Sequence, residues 1–533
     1  MSKPTHKQSV LALDIGTSSV RAVVYDIRGR MRPTTLSDVP YKVRTVEPGE
    51  VSSDPDELIK LIAQSIDGAL SAARKDNAEI LAAGVSCYWH SLLGVDRSGR
   101  PTTELFTWAD TRSTRETRDL RARFDEGAYH ARTGCFFHAS YWPSKLRWLR
   151  ATRPSAVRRT VRWMSLGEYL YQELLGESPV SYSMASGTGL LDVNRCQWDA
   201  QALKLAGIQV KALARLSDWD HPLRSLRPSF ARRWPELSEI PWYLPVGDGG
   251  LANVGAGALS PRWACATIGT SGAMRVLLER ERVAVPWGTF VYRLDRRRFV
   301  LGGALSEGGN VVRWFTDVLG LQNKKKLKHA AAALAPDSHG LTILPFWAGE
   351  RSPNWRGDAR AVIAGLSLGS QPDQMLRAAM EAITYQLVTV ASAMRRAVNR
   401  PESVIATGGQ LIHSPAWSQM LADALNQRVM TSPEPEASSR GAALLVLHAL
   451  GKLPRLWSTT PARGRVFRPR ARVHSIYEGA RRRQQDLYDL LFPPPGQTPT
   501  LPSSKGRGRV GTPSAAVGSS SRTKDLRSPA ARH

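Results

Sequence analysis

The sequence has few cysteines and no long apolar run. Its 533 residues include only four cysteines, widely separated and without a Cys-x-x-Cys pair: Cys87, Cys135, Cys196 and Cys265. This spacing argues against a disulfide framework or a zinc site and favours reduced thiols. There is no stretch of about 18 apolar residues, and Met1 to Val10 lack the apolar run of a signal peptide. We therefore expect a cytoplasmic protein.

Acidic residues are scarce relative to basic ones. The chain has 46 Asp and Glu against 73 Lys and Arg, which gives a formal net charge of +27. Such an excess can indicate a nucleic-acid partner. The basic residues are mainly arginines spread along the whole chain, with no basic helix containing interleaved aromatics. We therefore predict no nucleic-acid or membrane partner, but an arginine-rich surface that suits anionic substrates.

Apolar segments near the N-terminus alternate between strand and helix patterns. Val10 to Leu13 and Val20 to Tyr25 predict the two strands of a hairpin, and Ile80 to Cys87 predicts a further strand. Between them, Asp54 to Arg74 carries apolar residues at helical spacing. Strands that alternate with helices favour an α/β architecture.

One four-residue segment occurs twice. The sequence Ile-Gly-Thr-Ser stands at residues 15–18 and again at residues 268–271. An apolar strand containing one arginine, Arg21 or Arg275, follows each copy. Because the two copies lie about half the chain apart, they predict two lobes of related fold rather than a solenoid.

The two copies also predict how the chain is divided. We place the lobe boundary near Gly257, which gives lobes of residues 9–257 and 258–492, with a last helix over 475–492. Residues 493–533 consist mostly of Pro, Ser, Gly and basic residues. Such a segment buries too little apolar surface to offset the entropy of ordering, so we predict that it is disordered.

The repeated segment has the chemistry of a phosphate-binding turn. Gly16 lets the backbone approach a ligand, and successive N–H groups with the hydroxyls of Thr17 and Ser18 can donate to phosphate oxygens. Asp14, at the end of an apolar strand, can hold Mg²⁺ through water. An ordinary hairpin turn explains one copy equally well, whereas two facing copies can clamp a polyphosphate. A P-loop is excluded, because no Gly-x₄-Gly-Lys-Ser/Thr occurs.

The segment Gly247-Asp248-Gly249-Gly250-Leu251-Ala252, which follows strand-like residues 242–246, has three interpretations. Gly-x-Gly-x-x-Ala is typical of dinucleotide-binding oxidoreductases, but these need an acidic residue about 20 positions later. The first acid after Gly249 is Glu279. Alternatively, Asp248 is exposed by its flanking glycines and takes a proton from a hydroxyl that attacks phosphorus. The third interpretation is a helix N-cap.

A Gly-Gly turn lies in the second half of the chain. Thr407-Gly408-Gly409-Gln410 follows the predicted strand 403–406 and precedes the predicted helix 416–425. Such a junction lets a nucleotide approach the backbone, and a tight turn without a ligand is the alternative. A further helix is predicted to begin at Gly441.

These motifs occur in the order found in the FGGY carbohydrate kinases, which the chain resembles from about Val10 to Phe492. Those kinases share a two-lobe, actin-like and ribonuclease-H-like α/β fold with a duplicated core. The matching segments are Leu13 to Ser18, Lys145 to Leu149, Gly247 to Gly249, Thr267 to Gly272, Leu344 to Pro353, Ala361 to Glu381 and Thr407 to Gly409.

The resemblance implies roles for individual residues. Asp248 would be the general base and would hold Mg²⁺ together with Asp14. The nucleotide site, which would bind ATP, would comprise Asp14, Gly16, Thr17, Ser18, Arg21, Gly269, Thr270, Gly308, Gly408, Gly409 and Gln410. The pocket for a small sugar or sugar acid would comprise His90, Trp108, Asp110, Lys145 and Asp248. The oligomeric state stays open, a homodimer included.

Within the family, the sugar-side motifs are most similar to those of gluconate kinases. The segments that carry this similarity are Cys87 to Asp96, Thr107 to Ser113 and Arg132 to Gly134. A sugar acid needs cationic or donor groups near its carboxylate, and the candidates are His90, Arg112, His138 and Lys145. Xylulose kinases also place a histidine at the position of His90, so a ketopentose is the alternative substrate.

Two residues depart from the family's patterns, and other functions remain to be weighed. Trp142 stands where the family favours Pro, Ser or Thr, and Trp89 stands where several sugar kinases have Met. Both changes affect the sugar side. His90 alone is more typical of a structural histidine. An actin-like ATPase and a sugar-sensing regulator are the alternatives on the same fold, although a sensor would not need the base Asp248.

Overall fold

The elements of the chain follow one another as alternating strands and helices. The computed structural model describes residues 7–318, 324–462 and 464–493. Its strands are β1 Lys7–Ile15, β2 Ser19–Asp26, β3 Ser37–Pro40, β4 Ser52–Ser53, β5 Ala78–Cys87, β6 Leu93–Val95, β7 Leu105–Phe106, β8 Arg162–Met164, β9 Val180–Ser181, β10 Leu191–Asp192, β11 Gln197–Trp198, β12 Leu216–Ser217, β13 Val246–Gly247, β14 Trp263–Ile268, β15 Gly272–Glu279, β16 Phe290–Arg293, β17 Arg298–Leu305, β18 Thr342–Leu344, β19 Val362–Ala364, β20 Ser403–Thr407, β21 Val429–Thr431 and β22 Val466–Phe467.

Its α-helices are α1 Pro55–Lys75, α2 Thr114–Arg123, α3 Glu126–Thr133, α4 Trp142–Thr152, α5 Pro154–Arg159, α6 Leu166–Leu175, α7 Tyr182–Ser186, α8 Ala200–Ala206, α9 Pro228–Arg233, α10 Asp248–Gly255, α11 Gly309–Val318, α12 Lys324–Ala333, α13 Pro372–Met394, α14 Gly409–Ile412, α15 Pro415–Leu425, α16 Ala437–Ala449 and α17 Ala471–Leu491. No helix in the described part of the chain is long and apolar enough to span a membrane.

Two sheets share one strand arrangement. The first has the order β13-β5-β1-β2-β3, and the second β16-β17-β15-β14-β20-β21-β22. In the first sheet, β1 pairs antiparallel with β2 and parallel with β5. In the second, β14 pairs antiparallel with β15 and parallel with β20. The repeated Ile-Gly-Thr-Ser therefore marks the same hairpin in both sheets, as the duplicated core predicts.

Helix α1 follows directly from its sequence. Asp54 is the N-cap and accepts hydrogen bonds from the backbone N–H groups of Asp56 and Glu57. Such caps satisfy N–H groups that the first turn leaves without partners. The apolar stripe that includes Leu58, Ile62 and Ile66 is buried, and the helix packs against β2. The predicted helix over 54–74 is thus confirmed.

Helices α10 and α16 cross closely at glycines. A methyl group in place of Gly441 would collide with the carbonyl oxygen of Leu251, and one in place of Gly255 would collide with that of Ala437. The two helix backbones therefore lie in direct contact at these glycines, which leaves no room for a side chain at either position. Since α16 begins at Ala437, Gly441 lies within the helix instead of beginning it.

Two further boundaries differ from the predictions. Only residues 246–247 of the predicted strand 242–246 form a strand, because Trp242 makes isolated bridges to Ala83 and Leu223 instead. Helix α17 begins at Ala471, four residues before the predicted start. Residues 494–533 of the predicted disordered tail lie outside the described residues, so that prediction is untested. The lobe boundary near Gly257 falls between the two sheets and stays a prediction.

Candidate active site

A cleft of about 310 Å³ lies between the two repeated hairpins. It is lined by Gly16, Thr17, Ser18, Tyr88, Trp89, His90, Trp108, Asp248, Gly249, Ala252, Thr267, Gly269, Thr270, Ser271, Gly272, Ala273, Arg275, Phe290, Tyr292, Ala304, Arg351 and Ser438. The cleft thus collects residues from both repeats, the Asp248 segment and two predicted sugar-pocket positions. Among these lining residues, Asp248 is the only acid, and Arg275 and Arg351 are the only cations.

The first repeated turn connects β1 and β2. Gly16 donates its N–H to the carbonyl of Ser19 at 3.0 Å and accepts a hydrogen bond from the Tyr41 hydroxyl at 2.6 Å. These bonds fix the backbone, and Thr17 and Ser18 then line the cleft. The turn therefore presents two hydroxyl groups and its backbone towards the space where a phosphate would bind.

The second repeated turn connects β14 and β15. The N–H of Gly269 bonds to Ser271, and the carbonyl of Gly269 accepts the N–H of Gly309 at 2.8 Å. A methyl group in place of Gly308 would lie 2.8 Å from the backbone of Ser271, whereas one in place of Gly269 would meet nothing within 4 Å. Gly308 is therefore needed for packing, and the cleft beside Gly269 is open to a ligand.

The Gly-Gly turn adjoins this second turn. Gly408 has a φ of +80°, and a methyl group in its place would lie 2.6 Å from the carbonyl oxygen of Ile268. Both observations require glycine. Gln410 lies in α14, and its amide packs against Gly309. Gly408, Gly409 and Gln410 do not line the cleft itself, but they border the loop of the second repeated turn.

Asp248 is the first residue of α10. One of its carboxylate oxygens, Oδ1, accepts the N–H of Gly249 at 2.7 Å. Burial raises the pKa of Asp248 to about 6, the negative charge of Asp14 adds to this rise, and Arg275 opposes it. A carboxylate with a pKa raised towards neutral pH is a stronger base than an exposed aspartate. Helix α10 thus places a carboxylate with a raised pKa in the cleft.

Asp14 lies beside the cleft and does not line it. Its Oδ1 accepts a hydrogen bond of 2.7 Å from Ser86, and burial raises its pKa. The neighbouring Arg21 does not line the cleft either. Its guanidinium lies 3.2 Å from Glu436, 3.4 Å from Asp38 and 4.0 Å from Asp14. Three carboxylates therefore surround the arginine for which a phosphate contact is predicted.

His90 follows β5 and is held among aromatic rings. Its Nδ1 lies 2.5 Å from the carbonyl oxygen of Gly187, and its ring is 4.9 Å from that of Tyr141. Burial, and after it the charge of Arg351, lower the pKa of His90 well below its usual range. The imidazole is therefore neutral. Because a carbonyl only accepts, Nδ1 carries the proton and Nε2 can accept a bond from a sugar hydroxyl.

Asp110 and Lys145, two predicted sugar-pocket residues, do not line the cleft. Asp110 accepts bonds from Arg112 Nη2 at 2.7 Å and from the N–H of Val51 at 3.0 Å. Lys145 donates to the carbonyl of Ala139, and burial lowers the pKa of Lys145 to about 7. Both side chains are buried away from the cleft surface. Trp108, in contrast, lines the cleft.

Arg275 and Arg351 line the cleft although the sequence assigned neither a role. Arg275 donates to Thr267 Oγ1 at 2.8 Å, and its charge opposes the raised pKa of Asp248. A signal for Arg275 existed, since it lies in the strand that follows the second repeat as Arg21 does after the first, although across the hairpins Arg21 pairs with Asp14 and Arg275 with Cys265. Arg351 belongs to the family motif over 344–353, which gives no indication of where its side chain lies.

Comparison with known proteins identifies the family. Residues 9–255 match the N-terminal domain of the FGGY family of carbohydrate kinases, and residues 264–450 match its C-terminal domain. The chain belongs to the FGGY family of carbohydrate kinases. It is therefore a carbohydrate kinase with ATP as phosphate donor, and the oxidoreductase, actin-like ATPase and sensor alternatives are set aside. Asp248 in its Gly-flanked segment does not belong to a dinucleotide fingerprint.

Curated relatives of this kinase differ in the substrate that they name. The gluconokinase of Bacillus subtilis (strain 168) is 28% identical over 470 residues, which cover 86% of this chain and 91% of the relative. The glycerol kinase of Alkalilimnicola ehrlichii is 29% identical over 460 residues, which cover 83% and 90%. Sequence identity alone therefore does not separate these two substrates.

Solved structures share the fold. Gluconate kinase from Lactobacillus acidophilus superposes with a TM-score of 0.83 at 24% identity and covers 91% of this chain and 98% of its own. Ligand-bound xylulose kinase from the same organism gives the same values. The predicted two-lobe, actin-like α/β fold is thus confirmed for this kinase.

Proposed function

We propose that this kinase transfers the terminal phosphoryl group of ATP to the 6-hydroxyl of D-gluconate, with Asp248 as the general base. The observation that carries the catalytic part is the position of Asp248. It is the only acid that lines the described cleft, and its raised pKa of about 6 suits proton transfer near neutral pH. Its Oδ1 is bound by Gly249, so Oδ2 accepts the proton of the attacking hydroxyl.

The two repeated turns would hold the phosphates from opposite sides. Thr17, Ser18 and Thr270 supply hydroxyl donors at the cleft surface, and Gly269 leaves room for a ligand beside the backbone. Gly408, Gly409 and Gln410 would border the adenosine. Phosphoryl transfer depends mainly on positioning and on stabilising charge, and donors from both turns meet that need.

The acidic residues fit a magnesium ion. Asp14 and Asp248 lie close enough for the charge of one to raise the pKa of the other, and a divalent cation between or beside them would relieve this repulsion. Asp14 would act through water, with Ser86 orienting its carboxylate. When bound, Mg²⁺ would neutralise charge on the transferred phosphate. Arg21 would have an indirect role, since three carboxylates already surround it.

The charge of the cleft favours an anionic sugar over a neutral one. Apart from the base, its described lining holds no acid, and it holds two arginines. Four cationic or donor groups were predicted from the sequence for the sugar carboxylate. Of these, Arg112 is surrounded by acids, with Asp110 at 2.7 Å and Glu104 at 3.2 Å. Lys145 already donates to the carbonyl of Ala139. His90 and His138 are neutral because burial lowers their pKa values. Gluconate is therefore preferred, and xylulose is the alternative.

A substrate panel tests the proposal. Catalytic efficiency is compared for gluconate, xylulose, ribulose and glycerol at one ATP concentration, with ADP release coupled to a signal. We expect gluconate to give the highest value. A neutral substrate that exceeds it by tenfold, or about 1.4 kcal/mol of transition-state binding, would refute gluconate as substrate and leave the carbohydrate kinase class intact.

A further inference from the structure

Arg351 is a buried cation that faces the cleft without an acidic partner. Its side chain lines the cleft, yet the residue is only 8% exposed. Its Nε is buried and has no hydrogen-bond partner, and no acid among the described residues forms an ion pair with it. Burying a charged donor without an acceptor is unfavourable. The position therefore calls for an anionic group that comes from outside the chain.

Aromatic rings hold the guanidinium in place. Its carbon Cζ lies 5.1 Å from the ring centre of Trp108 and 5.5 Å from that of Trp355. Stacking on rings orients the planar group while leaving its N–H edge available to an acceptor. The indole Nε1 of Trp355 is a second buried donor without a partner. Two neighbouring buried donors thus lack acceptors, although Trp355 itself is fully buried and does not line the cleft.

The charge of Arg351 acts on the acceptor side of the cleft. It is the largest electrostatic cause, after burial, of the lowered pKa values of His90 and His138. It also lowers the pKa of Asp248, though less than Arg275 does. The charge of Arg351 therefore reaches the predicted sugar residue His90, and it also lowers the pKa of the buried Glu307, which burial raises to about 8.

Arg112 shows the contrast with a neutralised arginine. Its guanidinium has carboxylates of Asp110, Glu104, Glu47 and Glu50 within 4.0 Å. A cation surrounded in this way has no unsatisfied charge to offer a substrate. Arg351 keeps its charge free and faces the space that the acceptor would occupy.

We propose that Arg351 binds the carboxylate of the acceptor and thereby selects a sugar acid over neutral sugars. The inference rests on the proposed function, because it assumes that the acceptor is a sugar acid phosphorylated at its far end. A carboxylate would supply the acceptors that the guanidinium lacks, as two parallel charge-assisted hydrogen bonds. Arg351 is then a specificity-determining residue, and Asp248 remains the base.

The test compares D-gluconate with D-gluconamide, which has the same shape but no charge. In the wild-type kinase we expect kcat/KM to be roughly 10- to 100-fold higher for gluconate, the effect of a hydrogen bond between charged groups. In Arg351→Gln that preference should disappear through loss of gluconate activity, with gluconamide changed less than about threefold. Arg351→Lys, which keeps the charge without the planar fork, should retain part of the preference.

Arg118→Gln is the matched control, because it removes an exposed arginine whose ion pair with Asp358 lies at 3.5 Å. It should leave both efficiencies unchanged. Equal losses for the two substrates in Arg351→Gln would overturn the inference, since they indicate a general role in packing or catalysis. If that variant fails to fold, the wild-type ratio decides: equal efficiencies for gluconate and gluconamide also overturn it. A wild-type kinase inactive on gluconate refutes the proposed function instead.

Discussion

The negative charge of Asp14 raises the pKa of Asp248, after burial as the larger cause. Asp14 lies in β1, and Asp248 begins α10 directly after β13. In the first sheet, β5 lies between these two strands. Two acids held in this way repel each other unless a proton or a cation is present. This repulsion supports the proposal that a divalent cation binds beside the proposed base.

Asp14→Asn should weaken the use of Mg²⁺. The variant keeps the shape and the contact with Ser86 but removes one negative charge, so we expect the Mg²⁺ concentration for half-maximal activity to rise roughly 10- to 100-fold. Activity measured against Mg²⁺ at saturating ATP and sugar gives this value. Asp38→Asn removes a carboxylate that also adjoins Arg21 and should cause little change. An unaltered Mg²⁺ dependence in Asp14→Asn would contradict the metal assignment.

Asp248→Asn should remove the base and keep the fold. We expect turnover to fall by about 10²- to 10⁴-fold, the usual contribution of general base catalysis, with an unchanged melting temperature. As a control, Asp218→Asn changes another aspartate whose pKa burial raises to about 6 but which does not line the cleft. Its turnover should stay near wild type. Near-normal turnover in Asp248→Asn would show that another group accepts the proton.

The local parts of this site could be predicted from the sequence. Each Gly-Thr-Ser turn lies between two apolar segments that pair with each other, so neighbouring residues determine its shape. Gly408 was predictable for the same reason, because a strand–helix junction at positive φ requires glycine. The duplicated hairpins and helix α1 were also correct, since their signals lie within about 20 residues.

The sequence could not show which arginines are neutralised by ion pairs and which are not. Arg21 is neutralised by Glu436, which lies 415 positions later in the chain, and Arg112 by acids of several separate segments. Arg351 stands in a recognised motif, but its lack of a partner is apparent only when all neighbours are placed. Net charge and motifs identify cations, whereas tertiary contacts decide which cation remains free for a ligand.

Thr270→Val should impair the second phosphate turn. The substitution keeps the volume and removes a hydroxyl at the cleft surface, and a hydrogen bond to a charged phosphate contributes about 1.5 to 3 kcal/mol. We expect KM for ATP to rise roughly tenfold or more, with KM for the sugar largely unchanged. Thr389→Val, which removes a hydroxyl bonded within α13, is the control. Unchanged nucleotide binding by calorimetry and unchanged turnover would mean that Thr270 does not contact the phosphates.

Lys145→Met should alter how stability depends on pH. Burial lowers the pKa of Lys145 from 10.5 to about 7 in the folded chain, so unfolding takes up a proton between these values. This destabilising effect is fully present below pH 7 and is lost as pH rises towards 10.5. The free energy of unfolding of the wild type should therefore rise relative to that of Lys145→Met, by up to about 1.4 kcal/mol per pH unit in this range.

Denaturant unfolding of both proteins at pH 7.0, 8.0 and 9.0 measures that difference. Lys145 also lowers the pKa values of His90 and His138, but burial already keeps both histidines neutral in the folded protein at these pH values. The slope of the difference between the two proteins therefore reports Lys145 better than either stability alone. Lys204→Met removes an exposed lysine, whose ammonium is in water before and after unfolding. The difference in free energy of unfolding between this variant and the wild type should therefore be the same at every pH. A pH-independent difference for Lys145→Met would contradict the lowered pKa of Lys145 and show that its ammonium is solvated or paired in the folded protein.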